Sequence, residues 1–64
     1  MKKKYTQQEI GWIQGAACVA ADQFRKHGDD GSIKEMMSVA GTLDEIRAFA
    51  YREDLNSLSA AGLI

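Results

Sequence analysis

The sequence contains one cysteine and one histidine, Cys18 and His27, which are the residues best suited to nucleophilic chemistry. A cysteine nucleophile needs a base within hydrogen-bonding distance. The two residues are nine positions apart in a segment that predicts one continuous helix. That spacing puts them about 13 Å apart along the axis and on opposite sides, so they cannot form a dyad within one chain. We expect Cys18 to be a small packed residue and His27 to be a cation at a helix end.

The run Asp29, Asp30, Gly31 is the segment that most suggests a calcium ligand set. An EF-hand loop, however, needs alternating oxygen donors over twelve residues and a final glutamate. A turn leading into the next helix is the better interpretation. The sequence also lacks paired cysteines at metal-ligand spacing, a glycine-rich phosphate loop and a nucleophile elbow. We therefore expect no catalytic residue, no metal, no cofactor and no enzymatic activity.

Helix-start and helix-stop signals are frequent along the chain. The capping box, a serine or threonine followed three residues later by glutamate, satisfies two backbone N–H groups at a helix start. It occurs at Thr6, Ser32 and Thr42. Glycine readily adopts the positive φ that ends many helices, and Gly28 and Gly41 follow two of the segments that these boxes begin.

These signals predict an all-α protein, since no segment alternates with the period of two that is typical of strands. The predicted helices span residues 7–27, 33–40, 43–51 and 55–61, with Asp54 capping the last. We expect a small bundle in which one long N-terminal helix is packed by two or three short helices. The domain organisation is a basic tail over residues 1–5 and a single helical domain over residues 6–64.

The first helix carries an apolar stripe at helical spacing, which predicts its core-facing side. The stripe consists of Ile10, Ile13, Ala17, Ala20 and Phe24, widened by Ala16 and Ala21. The second and third helices are amphipathic, and each presents one apolar side to the core. Those sides are Ile33, Met36, Met37 and Ala40 on one helix and Leu43, Ile46, Phe49 and Ala50 on the other.

A second apolar face of the first helix predicts an interface with another protein. Trp12 and Val19 lie roughly 100–140° from the centre of the core stripe at 100° per residue. Small residues at Gly11, Gly15 and Ala16 flank them, and tryptophan is enriched at interface hot spots. The alternative is that the third or fourth helix covers Trp12 within the chain. The apolar area exceeds what three short helices should cover, so we expect a homodimer formed through the first helix.

The charge distribution argues against a nucleic-acid partner. Three of the eight basic residues are Lys2, Lys3 and Lys4, which leaves five bases against nine acids, about −4, from Tyr5 onward. Such a body repels a phosphate backbone. Residues 33–50 weakly resemble a helix-turn-helix, so a small DNA-binding regulator stays as the alternative. A recognition helix, however, should present basic and polar side chains, and this one begins with two acids.

Targeting signals and membrane spans are not predicted. No apolar run approaches the ~20 residues that a membrane span requires. Polar residues between positions 7 and 14 interrupt the region where a signal peptide would be continuously apolar. A small secreted domain would normally carry several cysteines. The single cysteine favours a reducing compartment, and we expect the cytoplasm.

Three segments resemble short uncharacterised helical proteins encoded in phages and prophages. They are residues 11–18 (GWIQGAAC), 39–46 (VAGTLDEI) and 54–55 (DL). The resemblance covers most of the chain but involves mainly small and apolar residues. It implies a protein that binds a host or phage macromolecule, such as an inhibitor of a defence system, and it identifies no functional residue.

Overall fold

The computed structural model describes residues 4–28 and 31–64 of the chain. These residues form four α-helices, and no strand occurs among them. The helices are α1 (Gln7–His27), α2 (Ile33–Ala40), α3 (Leu43–Phe49) and α4 (Arg52–Ala60). The long α1 contacts each of the three short helices. The predicted architecture, one long N-terminal helix packed by short helices, is confirmed.

Two of the three predicted capping boxes form. The Glu9 backbone N–H donates to Thr6 Oγ1 at 3.1 Å, and the Thr6 N–H donates to Glu9 Oε1 at 3.0 Å. The box at Thr42 has the same two bonds, at 3.2 and 2.9 Å. The box at Ser32 is absent, because Ser32 has a helical backbone (φ −80°, ψ −18°) and its side chain makes no capping bond. A capping residue normally has extended φ/ψ, which aims its oxygen at the first turn.

The predicted boundary between α3 and α4 is wrong by a few residues. Ala50 and Tyr51 have extended backbones with ψ near 150°, so α3 ends at Phe49 and α4 begins at Arg52. Asp54 is consequently the third residue of α4 and not its cap. A carboxylate in the first turn still complements the helix dipole, and Asp54 pairs with Arg25 of α1.

The core lies between α1 and the inner sides of the short helices. Of the predicted stripe on α1, the middle is buried and the ends, Ile10 and Phe24, are half-buried. Leu43 is 46 % exposed, so the prediction that it faces the core is wrong. Leu43 is the first residue of the short α3, and Ile46, three residues later, is the residue of this helix that is buried. The buried apolar residues are Ile13, Ala17, Ala20, Ala21, Ile33, Met37, Ala40, Ile46 and Leu58.

Polar side chains of α1 also attach each short helix individually. Trp12 Nε1 donates to the Val39 carbonyl of α2 at 3.0 Å, and Gln14 Nε2 donates to the Phe49 carbonyl of α3 at 3.0 Å. Both carbonyls are in a last helical turn, where backbone oxygens lack helical partners. Arg25 supplies the attachment to α4. α1 therefore fixes the short helices through directional bonds as well as apolar packing.

Candidate protein-interaction surface

An open apolar groove of about 520 Å³ lies between the outer sides of α1 and α2. We call it the α1–α2 groove. All five residues that the sequence predicted as a candidate interface line it, and α2 supplies two more. The lining residues are Gly11, Trp12, Gly15, Ala16 and Val19 from α1, and Met36 and Val39 from α2.

Three apolar side chains of the groove are strongly exposed. Trp12 and Val19 are each 60 % exposed, and Val39 is 61 % exposed. The alternative that α3 or α4 covers Trp12 within the chain is therefore wrong. Exposed apolar residues that stand alone are common on protein surfaces, whereas contiguous ones mark interaction sites. Here three such side chains line one groove.

Trp12 is held in place although it is exposed. Its indole N–H donates to the Val39 carbonyl at 3.0 Å, which satisfies the one polar group of the side chain. The bond also links the two sides of the groove. The indole can therefore be covered by a partner without leaving an unpaired donor, and part of its conformational freedom is already lost before binding.

Within the described residues, neither backbone conformation nor packing requires glycine at the two glycine positions of the groove. Neither Gly11 nor Gly15 has a positive φ, and a Cβ added at either would meet no atom within 4 Å. Glycine in a helix interior destabilises it by roughly 0.5–1 kcal/mol relative to alanine. Two such positions are a large cost for a domain of this size. Their effect on the surface is to expose the α1 backbone, so that another molecule can approach it closely.

The groove side of α1 is also free of charge over a long stretch. No Asp, Glu, Lys, Arg or His occurs among the twelve residues between Glu9 and Asp22, which span roughly 18 Å of helix. At the far end, Asp22 pairs with Lys26 at 3.0 Å. A partner can therefore cover the centre of this face without desolvating an ion.

Sequence reasoning missed the contribution of α2 to the groove. Met36 was predicted to face the core, but it is half-buried and lines the groove as well. Val39 was assigned to neither the core nor an interface. A signal was present, since residues three apart share a helix face and Val39 is three residues after Met36. Nothing local, however, indicates that this face lies beside Trp12.

Cys18 and His27, the two residues best suited to nucleophilic chemistry, lie nine residues apart on α1 and form no dyad. Cys18 is half-buried, and the charge of Asp54 raises the pKa of its thiol, with burial and a thiol–carboxylate hydrogen bond adding to the effect. Because the thiolate is the nucleophile, a raised pKa lowers reactivity. His27 lies exposed in the last turn of α1, as predicted. Asp29 and Asp30 lie outside the described residues, among which no cluster of three potential metal ligands occurs.

The one buried charged side chain among the described residues is Asp54, which is 4 % exposed. Its carboxylate accepts from Arg25 Nη2 at 3.3 Å, and Arg25 Nη1 donates to Ser57 Oγ at 2.9 Å. This arrangement ties α4 to the second half of α1. It is a packing contact at the α1–α4 interface, on a helix that does not line the α1–α2 groove.

The α2–α3 pair was the basis of the alternative helix-turn-helix interpretation. α3 has seven residues and carries two acids, Asp44 and Glu45, in its first turn. Glu45 is used in the capping box of Thr42, and Arg47 Nη1 lies 3.5 Å from Asp44 Oδ1. The charges of α3 therefore do not resemble those of a helix that reads base edges.

No protein-family model, curated protein or solved structure matches the chain. Within the described ranges, no helix combines the length and the apolarity needed to cross a membrane.

Proposed function

We propose that this protein is a non-enzymatic helical module that binds another protein through the α1–α2 groove. One observation carries the proposal: Trp12, Val19 and Val39 are exposed together beside a stretch of glycine-opened helix backbone. An exposed aromatic side chain with its polar group satisfied is typical of an interface anchor. The neighbouring small residues allow a partner helix to pack closely.

The chemistry of the surface restricts the partner. The centre of the groove is apolar and uncharged, so it suits an apolar ridge such as one face of a helix. Beyond the groove, the body from Tyr5 onward has a net charge of about −4. That charge favours a partner whose flanking surface is basic, including a nucleic-acid-binding surface that this protein would occlude.

The resemblance to phage-encoded proteins supports a more specific proposal. In this role the protein acts in the host cytoplasm, as an inhibitor or modulator of a host defence protein. A small acidic module that carries its own apolar anchor can block a basic functional surface without any catalysis.

Site-specific photo-crosslinking in cells tests the docking surface. A photo-reactive amino acid at Val19 is expected to give an adduct with one distinct protein other than a second copy of the chain, whereas the same group at Asn56, exposed on α4, gives none. The purified target should then bind the wild-type chain and lose at least about tenfold in affinity for Val19→Asp, as expected for a central anchor position. Equal adducts from both positions, or unchanged binding by the variant, would contradict the proposal.

The proposed defence role has its own experiment. The chain is expressed in bacterial strains that each carry one defence system, and phage plating efficiency is measured. We expect plating to be restored in one strain by the wild type and by Leu43→Asp, which adds the same charge outside the groove. Val19→Asp should restore nothing. Restoration by Val19→Asp, or in none of the strains, would reject this role.

A further inference from the structure

We propose that in the isolated protein a second copy of the chain covers the α1–α2 groove, with the two α1 helices antiparallel and the two-fold axis at Gly15. This inference rests on the proposed function of the groove as a protein-binding surface and names its occupant. A two-fold contact requires one patch to be complementary to itself, and the residues of α1 meet that requirement.

The spacing of Gly11, Gly15 and Val19 is symmetric. Gly11 and Val19 are each four residues from Gly15, about 6 Å to either side along the helix. In an antiparallel pair with its axis at Gly15, the Val19 side chain lies opposite Gly11 of the partner subunit, and the reverse contact is identical. Val19 is 60 % exposed and projects, whereas Gly11 has open space where a side chain would be. A projecting residue thus meets an open position twice in the same interface.

The absence of charge around Gly15 removes the main obstacle to self-association. Two copies with net acidic bodies repel one another wherever charged faces meet. The face around Gly15 carries no ionisable side chain between Glu9 and Asp22, Cys18 apart, so the two copies approach at the place where repulsion is weakest. Trp12 adds no cost, because its N–H is already bonded within its own chain.

The size of the face predicts a weak, reversible dimer. A helix segment about 18 Å long, together with the α2 ridge beside it, covers on the order of 400 Å² per subunit. Stable interfaces bury about 800 Å² per partner, and smaller ones belong to transient complexes. We therefore expect a transient dimer that dissociates on dilution.

Sedimentation equilibrium of the purified chain measures this association. Between about 5 and 500 µM, the average mass should rise from 7.0 kDa towards twice that value, as expected for a weak dimer. Val19→Asp should raise the dissociation constant at least about tenfold, whereas Leu43→Asp should leave it unchanged. Circular dichroism at low concentration verifies that both variants are folded. A wild type that stays at 7.0 kDa throughout, or two variants that weaken association equally, would overturn the proposal.

Disulfide formation tests the antiparallel arrangement. In a Cys18→Ala background, Gly15→Cys should cross-link to its own copy, since a disulfide needs Cα atoms within about 7 Å. A mixture of Gly11→Cys and Val19→Cys chains should form the mixed disulfide in preference to either self-pair. Preferential self-pairs would indicate parallel helices and overturn the arrangement. Asn56→Cys, outside the groove, sets the background of random oxidation.

Failure of this inference is distinguishable from failure of the proposed function. A chain that is monomeric at every concentration, yet gives a Val19-specific adduct with another protein in cells, would reject the second copy and retain the docking surface. A dimer with no such adduct would support the second copy and reject the heterologous partner.

Discussion

The two apolar faces of α1 differ in what surrounds them. One face, with Ile13, Ala17 and Ala20, is buried against three short helices. The other face contains Trp12 and Val19, each of which is 60 % exposed. Both faces lie in the same uncharged stretch, and both combine large apolar residues with small ones. Composition alone therefore does not distinguish a buried face from an exposed one.

The small residues on the two faces differ in what lies against them. Alanine on the core side lets the short helices approach α1, and these alanines are fully buried. Glycine on the outer side permits an equally close approach, but no atom of the described residues lies within 4 Å of a Cβ added there. A helix interior that carries glycine without an internal contact loses stability. This difference is what the proposed docking surface would account for.

The largest expected contrast comes from truncating one residue on each face. Ile13→Ala removes a buried side chain and should cost about 2–4 kcal/mol of unfolding free energy, because the lost burial is joined by a cavity. Val19→Ala in dilute solution should cost less than about 0.5 kcal/mol, as for other surface positions. Urea unfolding at low micromolar concentration measures both. Equal losses would mean that Val19 is packed within the monomer, which would remove the contrast between the faces.

The ion pair at the α1–α4 contact gives the next effect. Arg25→Met leaves the buried Asp54 carboxylate with the Cys18 thiol as a donor, and it should cost about 2–3 kcal/mol. Asp54→Asn removes the charge and leaves an arginine that water can reach, so about 1–2 kcal/mol is expected. Lys26→Met is the matched control, since its exposed pair with Asp22 contributes about 0.3–0.5 kcal/mol. If denaturant unfolding gives the same loss of unfolding free energy for Lys26→Met and Arg25→Met, the buried Asp54 does not depend on Arg25.

On the outer face, adding a methyl group should stabilise the monomer. Gly11→Ala and Gly15→Ala are each expected to gain about 0.5–1 kcal/mol, because alanine is the better helix former and meets no atom within 4 Å. The same variants should bind a partner less well, since the added Cβ occupies the approach to the backbone. Unfolding at low concentration and binding assays on the same samples separate the two effects. If the alanine variants lower both the unfolding free energy and the binding affinity, or lower neither, the proposal that these glycines allow close approach would be rejected.

The smallest effect concerns Cys18. Its pKa is raised chiefly by the charge of Asp54, so Asp54→Asn should lower it. A folded-state pKa above the unfolded value means that the protonated thiol stabilises the fold fully below the unfolded pKa. That contribution is lost as the pH rises through the folded value. Thiolate ultraviolet absorbance across the alkaline range, with Cys18→Ala as the blank, measures the shift. An unchanged pKa in Asp54→Asn would place Asp54 too far away to matter.

Local signals in the sequence were sufficient for most of the fold. The bounds of α1 and α2 were predicted to the residue. For α1 the capping box, the apolar period and the glycine that follows are all local signals. For α2 the apolar period and Gly41 were sufficient, although the predicted cap at Ser32 does not form. The middle of the α1 stripe was buried as expected. The five candidate interface residues were named from their helical spacing alone, and they do line one groove.

The tertiary structure decided what those signals could not. Asp54 was predicted to be a helix cap from its neighbours in sequence. Its actual partner, Arg25, is 29 residues away and gives no local signal. Val39 lies beside Trp12, which is 27 residues earlier and donates a hydrogen bond to its carbonyl. Which apolar face of α1 is covered depends on where three short helices pack, and that is set by contacts between distant segments. Capping and periodicity act over a single helix turn or a single helix, whereas burial is a property of the assembled chain.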